Sequence, residues 1–474
     1  MTALQVSTTA GEGVEIPTDI LHRLQSELRG PVLLPGEPGY DEARAVWNAM
    51  IDRKPAVVAR CLGVADVIAC VRIARENNLL LCVKGGGHNI AGLAVADGAL
   101  MLDMSLMRGV WIDPRTKVAH AQAGCVLGDV DRETQLHGLA AVLGFISLTG
   151  IAGLTLGGGF GYLTRRRGWT SDTVVGMDVV TADGRLVRAS SEENADLFWG
   201  LRGGGGNFGV VTGINYTLNP VGPEILGGIV AWPASEASHV LELYRTHAEK
   251  APPELTLVAF MRLAPPVPWL PKESHGTPIV ALLACHTGNL EEGEKAVAPL
   301  KGFGNPIGDV LVRRPYTQLQ ALLDATQPKG RRYYWKSEYL PRIESALCEK
   351  VIEHAARIQS PYSAVILFQI EGALNRIDDE HSPVGNRDAH YVLNVAGSWQ
   401  EPEEDGVNIR WAREAWNDMK QFSTGGNYIN FLTEDEGPER VEAALGKALG
   451  RLASVKARWD PENVFRMNRN IKPA

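Results

Sequence analysis

The sequence predicts an α+β protein of two domains, and three observations support that fold class. The chain has 474 residues, which is more than one hydrophobic core usually supports. Three glycine-rich stretches lie before residue 210 and alternate with short strand-like runs and helical segments. After Pro220 these stretches stop, and the pattern becomes that of an antiparallel sheet covered by helices. We therefore place one domain at 1–222, a second at 223–415 and a C-terminal segment at 416–474.

The first hundred residues predict a strand-helix-strand unit. Apolar residues at helical spacing indicate helices over 20–29, 40–51 and 64–77. Short apolar runs indicate strands over 56–60, 79–83 and 100–103. The strand at 79–83 leads directly into the first glycine stretch, which ends in His88.

The remaining elements follow from the same periodicities and from turn residues. The predicted strands are 110–112, 118–123, 174–181, 186–189, 210–218, 279–285, 333–336, 364–370, 389–395 and 427–432. Helices are predicted over 126–138 and 438–459. The second glycine stretch spans 150–161, and the third spans 203–209 and opens the strand at 210–218.

Composition and charge exclude several classes of protein. The formal net charge of -8 argues against nucleic acid or an anionic membrane as a partner. Residues 1–18 lack the pattern of a secretory signal, and no uncharged stretch reaches the length of a membrane span. The six cysteines lack CxxC spacing, so they predict neither a disulfide framework nor a metal site. We expect a cytoplasmic protein, and the sequence leaves its oligomeric state open.

The glycine stretches predict a large ligand that carries phosphate. Successive backbone amides in a glycine loop point at a common centre and bind anions without a side chain in the way. A Rossmann site does not fit, because its GxGxxG should follow the first strand and open a helix. A Walker loop does not fit either, since 157–161 lacks the following Lys and Ser or Thr.

Four motifs, in the right order, resemble the vanillyl-alcohol oxidase superfamily of flavin-linked oxidases, in its berberine-bridge-enzyme-like branch. They are KGGGH at 84–88 with Asn89 and Gly92, TGIAGLTLGGGFG from Thr149, RGGGGNFGVV from Arg202, and YIN with DPENVF in the tail. The resemblance implies a PCMH-type FAD-binding fold of two α/β subdomains. It also implies a substrate domain built on an antiparallel sheet covered by helices, and a tail that returns to the FAD domain.

FAD is the cofactor that this resemblance implies, joined through its 8α methyl group to His88, whose imidazole attacks the electron-poor flavin. Such a bond raises the redox potential of the flavin and anchors its ring. The positions that match the family's FAD-binding motifs are Lys84, Gly85, Gly86, Gly87, His88, Asn89, Gly92, Leu148, Thr149, Gly150, Gly153, Leu156, Gly157, Gly158, Gly161, Gly209, Val210, Val211 and Asn430.

Two further positions refine the predicted flavin site. Many relatives carry a second, cysteinyl flavin link, and the matching position here is Ile146, so the resemblance implies a single link. Three residues later, relatives carry a residue that controls oxygen access to the flavin. Here it is Thr149, close to valine in size, which favours an oxidase over a dehydrogenase.

The catalytic base is less clear from the sequence. Sugar oxidases and cannabinoid synthases of this family use a tail tyrosine in the pattern YxNY, and Phe431 replaces it here. Strand alternation would place Tyr428 and Asn430 on one face, against the flavin. Tyr428 fits an ordinary core aromatic equally well.

A second group of candidates lies in the predicted strand at 364–370. Alternation puts Gln369 and Glu371 on one face, just before the glycine where relatives present a residue to the flavin. Glu371 is the candidate base, although a solvated carboxylate at a strand end would look the same. The aromatic run Tyr333, Tyr334 and Trp335 could line a pocket for a planar substrate.

The sequence therefore predicts an FAD-dependent oxidase that removes two electrons from a small organic metabolite and passes them to oxygen, giving H₂O₂. A polycyclic, phenolic or alkaloid-like substrate fits best. Three alternatives stay open: an amine oxidase of the hydroxynicotine type, a sugar or alcohol oxidase, and a flavoprotein without turnover. An amine can be oxidised as the free base without a strong protein base.

Overall fold

The computed structural model describes residues 4–474, and its first part is built on a small sheet. The elements of this part are β1 (Gln5–Ser7), β2 (Gly13–Glu15), α1 (Thr18–Glu27), β3 (Val32–Leu33), α2 (Tyr40–Arg44), β4 (Val57–Arg60), α3 (Val64–Glu76), β5 (Leu81–Lys84) and β6 (Leu100–Asp103). The strand order is β3-β4-β6-β5, with β6 parallel to both of its neighbours. Because the three parallel strands are buried on both faces, they read as continuous apolar runs.

The second part holds a five-stranded antiparallel sheet. Its elements are β7 (Val110–Asp113), β8 (Val118–Gln122), α4 (Leu127–Thr134), β9 (Leu139–Ala140), α5 (Ile151–Leu156), α6 (Thr164–Arg167), β10 (Val174–Val180), β11 (Leu186–Ala189), α7 (Ala195–Leu201), β12 (Val210–Thr217) and β13 (Asn219–Pro220). The strand order is β11-β10-β12-β8-β7. The first half of the second glycine stretch forms the helix α5, and the third stretch leads into β12 at the centre of this sheet.

A large antiparallel sheet dominates the third part. Its elements are β14 (Glu224–Pro233), α8 (Ala237–Ala248), β15 (Leu255–Leu263), β16 (Pro278–His286), α9 (Leu290–Lys301), β17 (Gly308–Asp309), β18 (Val312–Pro315), α10 (Tyr316–Gln320), β19 (Arg332–Leu340), α11 (Ser345–Ala355), β20 (Ala364–Gln369), β21 (Tyr391–Trp399) and α12 (Asp405–Met419). The main path runs β17-β14-β16-β15-β20-β21-β19, and β18 also pairs with β14.

Alternation along these strands gives the large sheet two apolar faces. Leu367 and Leu393 belong to a core shared with α8, α11 and α12. Phe368 follows Leu367 and Val392 precedes Leu393. Both belong to a different core, which is shared with Phe160 of the second part. Helices therefore cover one face of the sheet, as predicted, and the glycine-rich second part packs on the other.

The tail differs from the sequence prediction in two places. Residues 427–432 form a single 3₁₀ turn over Ile429–Phe431 and not a strand, because no neighbouring strand supplies a ladder. The predicted helix at 438–459 is two helices, α13 (Pro438–Leu445) and α14 (Leu449–Trp459). Gly446 lies between them at φ 51°, a left-handed conformation that ends the first helix.

The predicted helix at 40–51 is also shorter than expected, since α2 ends at Arg44. The following residues bond to distant backbone: the amide of Trp47 donates to the carbonyl of Gly87, and that of Ala49 donates to Arg331. These bonds take the place of the helical ones and place Trp47 beside the first glycine stretch. None of the helices over residues 4–474 combines the length and apolarity that crossing a bilayer requires.

Candidate active site

His88 stands where the chain leaves β5, at the end of the first glycine stretch. Gly87 precedes it at φ 66°, which glycine adopts at no steric cost. The imidazole stacks on Trp47, with ring centroids 4.4 Å apart and an interplanar angle of 18°. Its Nε2 atom is buried and has no hydrogen-bond partner among the described residues. Burial lowers the pKa of His88 to about 4, so the ring is neutral at physiological pH.

The first two glycine stretches touch each other through bare backbone. A Cβ on Gly86 would lie 2.4 Å from the backbone nitrogen of Gly150, and a Cβ on Gly150 would lie equally close to the nitrogen of Gly86. Gly209 of the third stretch packs just as closely on β10, where a Cβ would lie 2.6 Å from Val179. Glycine is needed at these positions for close approach, and together they bring the three stretches to one cavity.

Most of the predicted cofactor residues line this cavity. Those that do are Gly85, Gly86, Gly87, His88, Asn89, Thr149, Gly150, Gly153, Leu156, Gly209, Val210, Val211 and Asn430. The wall is mainly backbone and apolar side chain, with a buried imidazole nitrogen that lacks a partner. Such a wall fits FAD: exposed amides suit the pyrophosphate, apolar surface suits a flat ring, and His88 is placed to contact that ring.

Six predicted cofactor residues lie outside the lining: Lys84, Gly92, Leu148, Gly157, Gly158 and Gly161. Lys84 is buried, and its Nζ donates to the carbonyl of Ala43 and lies 3.5 Å from a carboxylate oxygen of Asp103. Leu148 is half-exposed.

The four glycines in this group support neighbouring chain. A Cβ on Gly92 would meet Ile51 at 2.6 Å, and a Cβ on Gly158 would meet Val384 at 3.1 Å. Gly157 and Gly161 likewise leave room for a side chain and a backbone carbonyl. These four glycines therefore allow neighbouring chain segments to pack closely beside the cavity, without lining it themselves.

The large sheet supplies the other wall of the cavity through consecutive rows of side chains. Cross-strand pairing aligns Arg262, Ala364, Ala396 and Trp335 in one row, and Phe260, Ile366, Asn394 and Ser337 in the next. Seven of these eight residues line the cavity, as do Val258 and Phe368 of the following row. The wall is apolar and aromatic apart from Arg262 and Asn394.

Asn394 is a polar group that the sequence did not reveal. It is buried in the middle of the sheet, and its Oδ1 atom has no hydrogen-bond partner among the described residues. A buried acceptor without a partner is costly, so a ligand that donates a hydrogen bond there gains affinity. Finding Asn394 requires the register of β21 against β20 and β19, which no local pattern in the sequence provides.

Tyr428 and Asn430 both line the cavity, although the segment is a 3₁₀ turn. The Nδ2 atom of Asn430 donates a hydrogen bond to Oη of Tyr428 at 2.9 Å and another to the carbonyl of Leu154 at 3.3 Å. The amide packs against Gly157, where a Cβ would lie 2.3 Å from it. Burial raises the pKa of Tyr428 above its ordinary value, so its hydroxyl stays protonated.

Gln369 and Glu371 do not line the cavity. The Nε2 atom of Gln369 donates to the carbonyl of Ala248 and to Glu371. Glu371 lies 3.1 Å from His390 and 3.9 Å from Arg165. Burial alone would raise the pKa of Glu371, but hydrogen bonds from His390 and Gln369 outweigh it and lower that pKa. Alternation explains the placement, because Phe368 and Ile366 occupy the cavity face of β20.

Ile146 and Thr149, the positions predicted to govern the second link and oxygen access, both line the cavity. One cysteine does so too: Cys82 of β5 is buried, and burial raises the pKa of its thiol to about 12. A thiol with that pKa is a poor nucleophile at physiological pH.

The aromatic run predicted to line a pocket contributes Trp335, whereas Tyr333 stacks on Trp47 behind the wall and Tyr334 faces the helices.

Two family models match the chain. A model described as an FAD binding domain matches residues 55–190, and one described as berberine and berberine like matches residues 427–472. The first match contains two of the glycine stretches, and the second contains Tyr428 and Asn430.

Individual proteins resemble the chain over nearly its whole length. It is 31% identical to (R)-6-hydroxynicotine oxidase of Paenarthrobacter nicotinovorans over 456 residues, which cover 94% of this chain and 97% of that protein. It is 27% identical to an FAD-linked oxidoreductase of Dictyostelium discoideum, with 96% and 97% covered.

A solved structure shows the same fold. The crystal structure of 6-hydroxy-D-nicotine oxidase from Arthrobacter nicotinovorans superposes with a TM-score of 0.85 at 29% identity, covering 97% of this chain and all of that one. The predicted fold class, family and FAD cofactor are therefore confirmed. The chain belongs to the berberine-bridge-enzyme-like family of PCMH-type FAD-dependent oxidases.

Proposed function

We propose that this oxidase carries FAD linked covalently through His88 alone. The observation that carries the proposal is the buried Nε2 atom of His88, which has no hydrogen-bond partner among residues 4–474. Because burial lowers the pKa of this imidazole to about 4, a lone pair is free for bond formation at neutral pH. Trp47 stacks on the ring, and Ile146, which matches the cysteine of relatives with a second link, lines the cavity without a thiol; both support the proposal.

His88 would hold FAD through its imidazole: one N–H bond of the ring and one C–H bond of the 8α methyl group would be replaced by a C–N bond. O₂ would be the oxidant that takes up the two electrons and two protons, giving H₂O₂. The cavity also presents Thr149 on the wall, and its small side chain supports the use of oxygen as the acceptor during turnover.

We propose a planar, mainly apolar small molecule as the substrate. Bound FAD supplies two-electron oxidation of a carbon–hydrogen bond. The protein's part is to hold the substrate flat between the cofactor and the large sheet, where Phe368, Phe431 and Trp335 offer aromatic surface. Phe431 and Trp335 meet edge to face, with centroids 5.0 Å apart, which favours a flat ligand over a branched sugar.

An amine is the second candidate substrate. Asn394 can accept a hydrogen bond from an N–H group, which orients a nitrogen without deprotonating it. The described residues that line the cavity include no aspartate or glutamate, and an amine oxidised as its free base needs none. The relative at 31% identity is named a hydroxynicotine oxidase, which supports the same class.

The linkage is tested by precipitating the purified protein with acid and measuring the yellow colour that stays in the pellet. The wild-type pellet should stay yellow, and the His88→Ala pellet should turn white. Flavin found wholly in the supernatant of the wild-type protein would overturn the covalent link. Photoreduction followed by exposure to air tests the oxidase: rapid reoxidation with release of H₂O₂ is expected, and very slow reoxidation would contradict it.

A further inference from the structure

Arg262 is the charged side chain in the cavity. Among the described residues that line it, no other lysine, arginine, aspartate or glutamate occurs. Arg262 stands at the end of the first row on the large sheet, beside Ala364 of β20 and Ile279 of β16. The half-buried guanidinium therefore brings a full positive charge to a wall that is otherwise uncharged over the described residues.

No carboxylate among residues 4–474 pairs with this charge. The Nε atom of Arg262 donates to the carbonyl of Leu263 at 3.2 Å, and one Nη atom donates to the carbonyl of Pro361 at 3.0 Å. The charge that acts on it is a second cation, Arg331, and burial together with this cation lowers the pKa of Arg262 to about 10. Arg262 thus remains protonated at neutral pH and lacks a counterion.

Arg331 reinforces the positive potential from behind the wall. Its guanidinium lies over the ring of Tyr362, 3.7 Å from the centroid, and donates to the carbonyl of Thr326. Tyr362 and Thr326 line the cavity, and Arg331 also forms no ion pair with a described carboxylate. Two neighbouring, partly buried cations without an acid leave an uncompensated positive charge beside the cavity, which a negatively charged ligand would neutralise.

Arg262 has donors left for such a ligand. Guanidinium carries five N–H groups, and two are used by the carbonyls of Leu263 and Pro361. The other three can form the paired bonds that a carboxylate accepts from arginine. Register and strand spacing put the Cα atoms of Arg262 and Asn394 about 12 Å apart, two strands and one row away from each other.

We propose that Arg262 binds a carboxylate of the substrate. Arg262 lies on β15, two strands away from Asn394 on β21, so the acidic group binds on the β15 side of the cavity. The inference rests on the proposed function and adds a substrate class to it: planar molecules whose acidic group is separated from the oxidised centre. Arg331 lies over the ring of Tyr362 and adds to the local positive potential.

The experiment measures binding to the purified holoenzyme by flavin difference spectra and equilibrium dialysis. The probes are benzoate, 3-phenylpropanoate and 5-phenylpentanoate, each compared with its uncharged amide. The acid is expected to bind at least about tenfold more tightly than its amide at one or more lengths. Arg262→Met should reduce that preference to within twofold, and Arg262→Lys should retain part of it.

Arg115→Met is the matched control, because Arg115 is an exposed arginine of the β7–β8 turn and its loss removes the same charge. It should leave the acid preference unchanged. Equal binding of acid and amide at every length, no binding of any acid, or an Arg262→Met protein that keeps the preference would each overturn the proposal. The acid-pellet and reoxidation assays do not depend on these ligands, so failure of the proposed function is separately visible.

Discussion

The imidazole of His88 and the indole of Trp47 lie face to face, with centroids 4.4 Å apart. Trp47 is itself fixed by Tyr333, which stacks on its other side at 3.6 Å, and by an indole hydrogen bond to the carbonyl of Gln327. The stack therefore joins the FAD-binding loop to the large sheet. It orients the histidine while leaving its nitrogen available.

Replacing this tryptophan should slow attachment of the flavin. Trp47→Leu keeps an apolar side chain but removes a stack worth about 0.5–1.5 kcal/mol, so the linkage should form about two- to tenfold more slowly. Flavin retained in acid pellets of apoprotein incubated with FAD measures the rate. Trp111→Leu is the control, because that exposed tryptophan lies beside His120, 5.4 Å away, outside the cavity lining. An unchanged rate in Trp47→Leu would contradict the positioning role.

Glu371 offers a test of the predicted catalytic base. Since it is held by His390 and Arg165 away from the cavity, Glu371→Gln should change kcat by less than about twofold, whereas loss of a general base costs about 10²–10⁴-fold. Asn394→Leu is the comparison, because Asn394 does line the cavity. It should raise KM. Steady-state oxygen consumption measures both, and a fall of 10² or more in Glu371→Gln would restore Glu371 as the base.

Sequence patterns predicted correctly the strands whose ends are set by neighbouring turn residues. β6 and β11 match their predicted bounds, because nearby turn residues limit each short run. The tail segment at 427–432 is also rich in apolar residues but has no partner strand, which the sequence does not show. Predicting it as a strand was therefore wrong.

The residues of the candidate site also fall into two groups, those that a local sequence pattern reveals and those that only the strand register reveals. His88 and most of the glycine positions were found from one continuous stretch each, since loop and ligand wall are the same residues. Arg262 and Asn394 were missed, because only the register of β15, β20 and β21, across more than a hundred residues, brings both to the same cavity wall. Gln369 and Glu371 were assigned to the correct side of their strand relative to Phe368, yet the sequence did not show which face borders the cavity.

The contact between the first two glycine stretches predicts a sharp effect of one methyl group. Gly86→Ala places a Cβ 2.4 Å from the backbone of Gly150, so the loops must separate and the protein should lose most of its FAD. The flavin-to-protein absorbance ratio measures this. Gly450→Ala is the control, since its Cβ meets nothing within 4 Å in α14 and alanine favours a helix by about 1 kcal/mol. Full FAD content in Gly86→Ala would contradict the close approach.

The buried pair of Arg387 and Asp172 should be important for stability. The guanidinium makes two hydrogen bonds to the carboxylate, at 3.0 and 2.8 Å, and both side chains are almost fully buried. Arg387→Met leaves Asp172 without its cation and should lower the free energy of unfolding by about 3–5 kcal/mol. Arg342→Met breaks an exposed pair with Glu344 and should cost less than about 1 kcal/mol. Urea unfolding measures both, and equal midpoints would contradict the prediction.

The pH dependence of flavin attachment should follow the low pKa of His88. Burial lowers this pKa from 6.5 to about 4. Between these two pH values an exposed histidine is mostly protonated, whereas His88 of the folded apoprotein keeps a neutral, nucleophilic ring. The unfolded chain binds a proton between these two values and the folded chain does not, so this group's contribution to stability decreases as the pH falls from 6.5 to 4. The attachment rate, measured from acid pellets after incubation with FAD, should be level from about pH 8 to 5.5 and decline only near pH 4. A midpoint at 6.5 would show instead that the imidazole is solvated and ordinary, and the argument from its burial would fail.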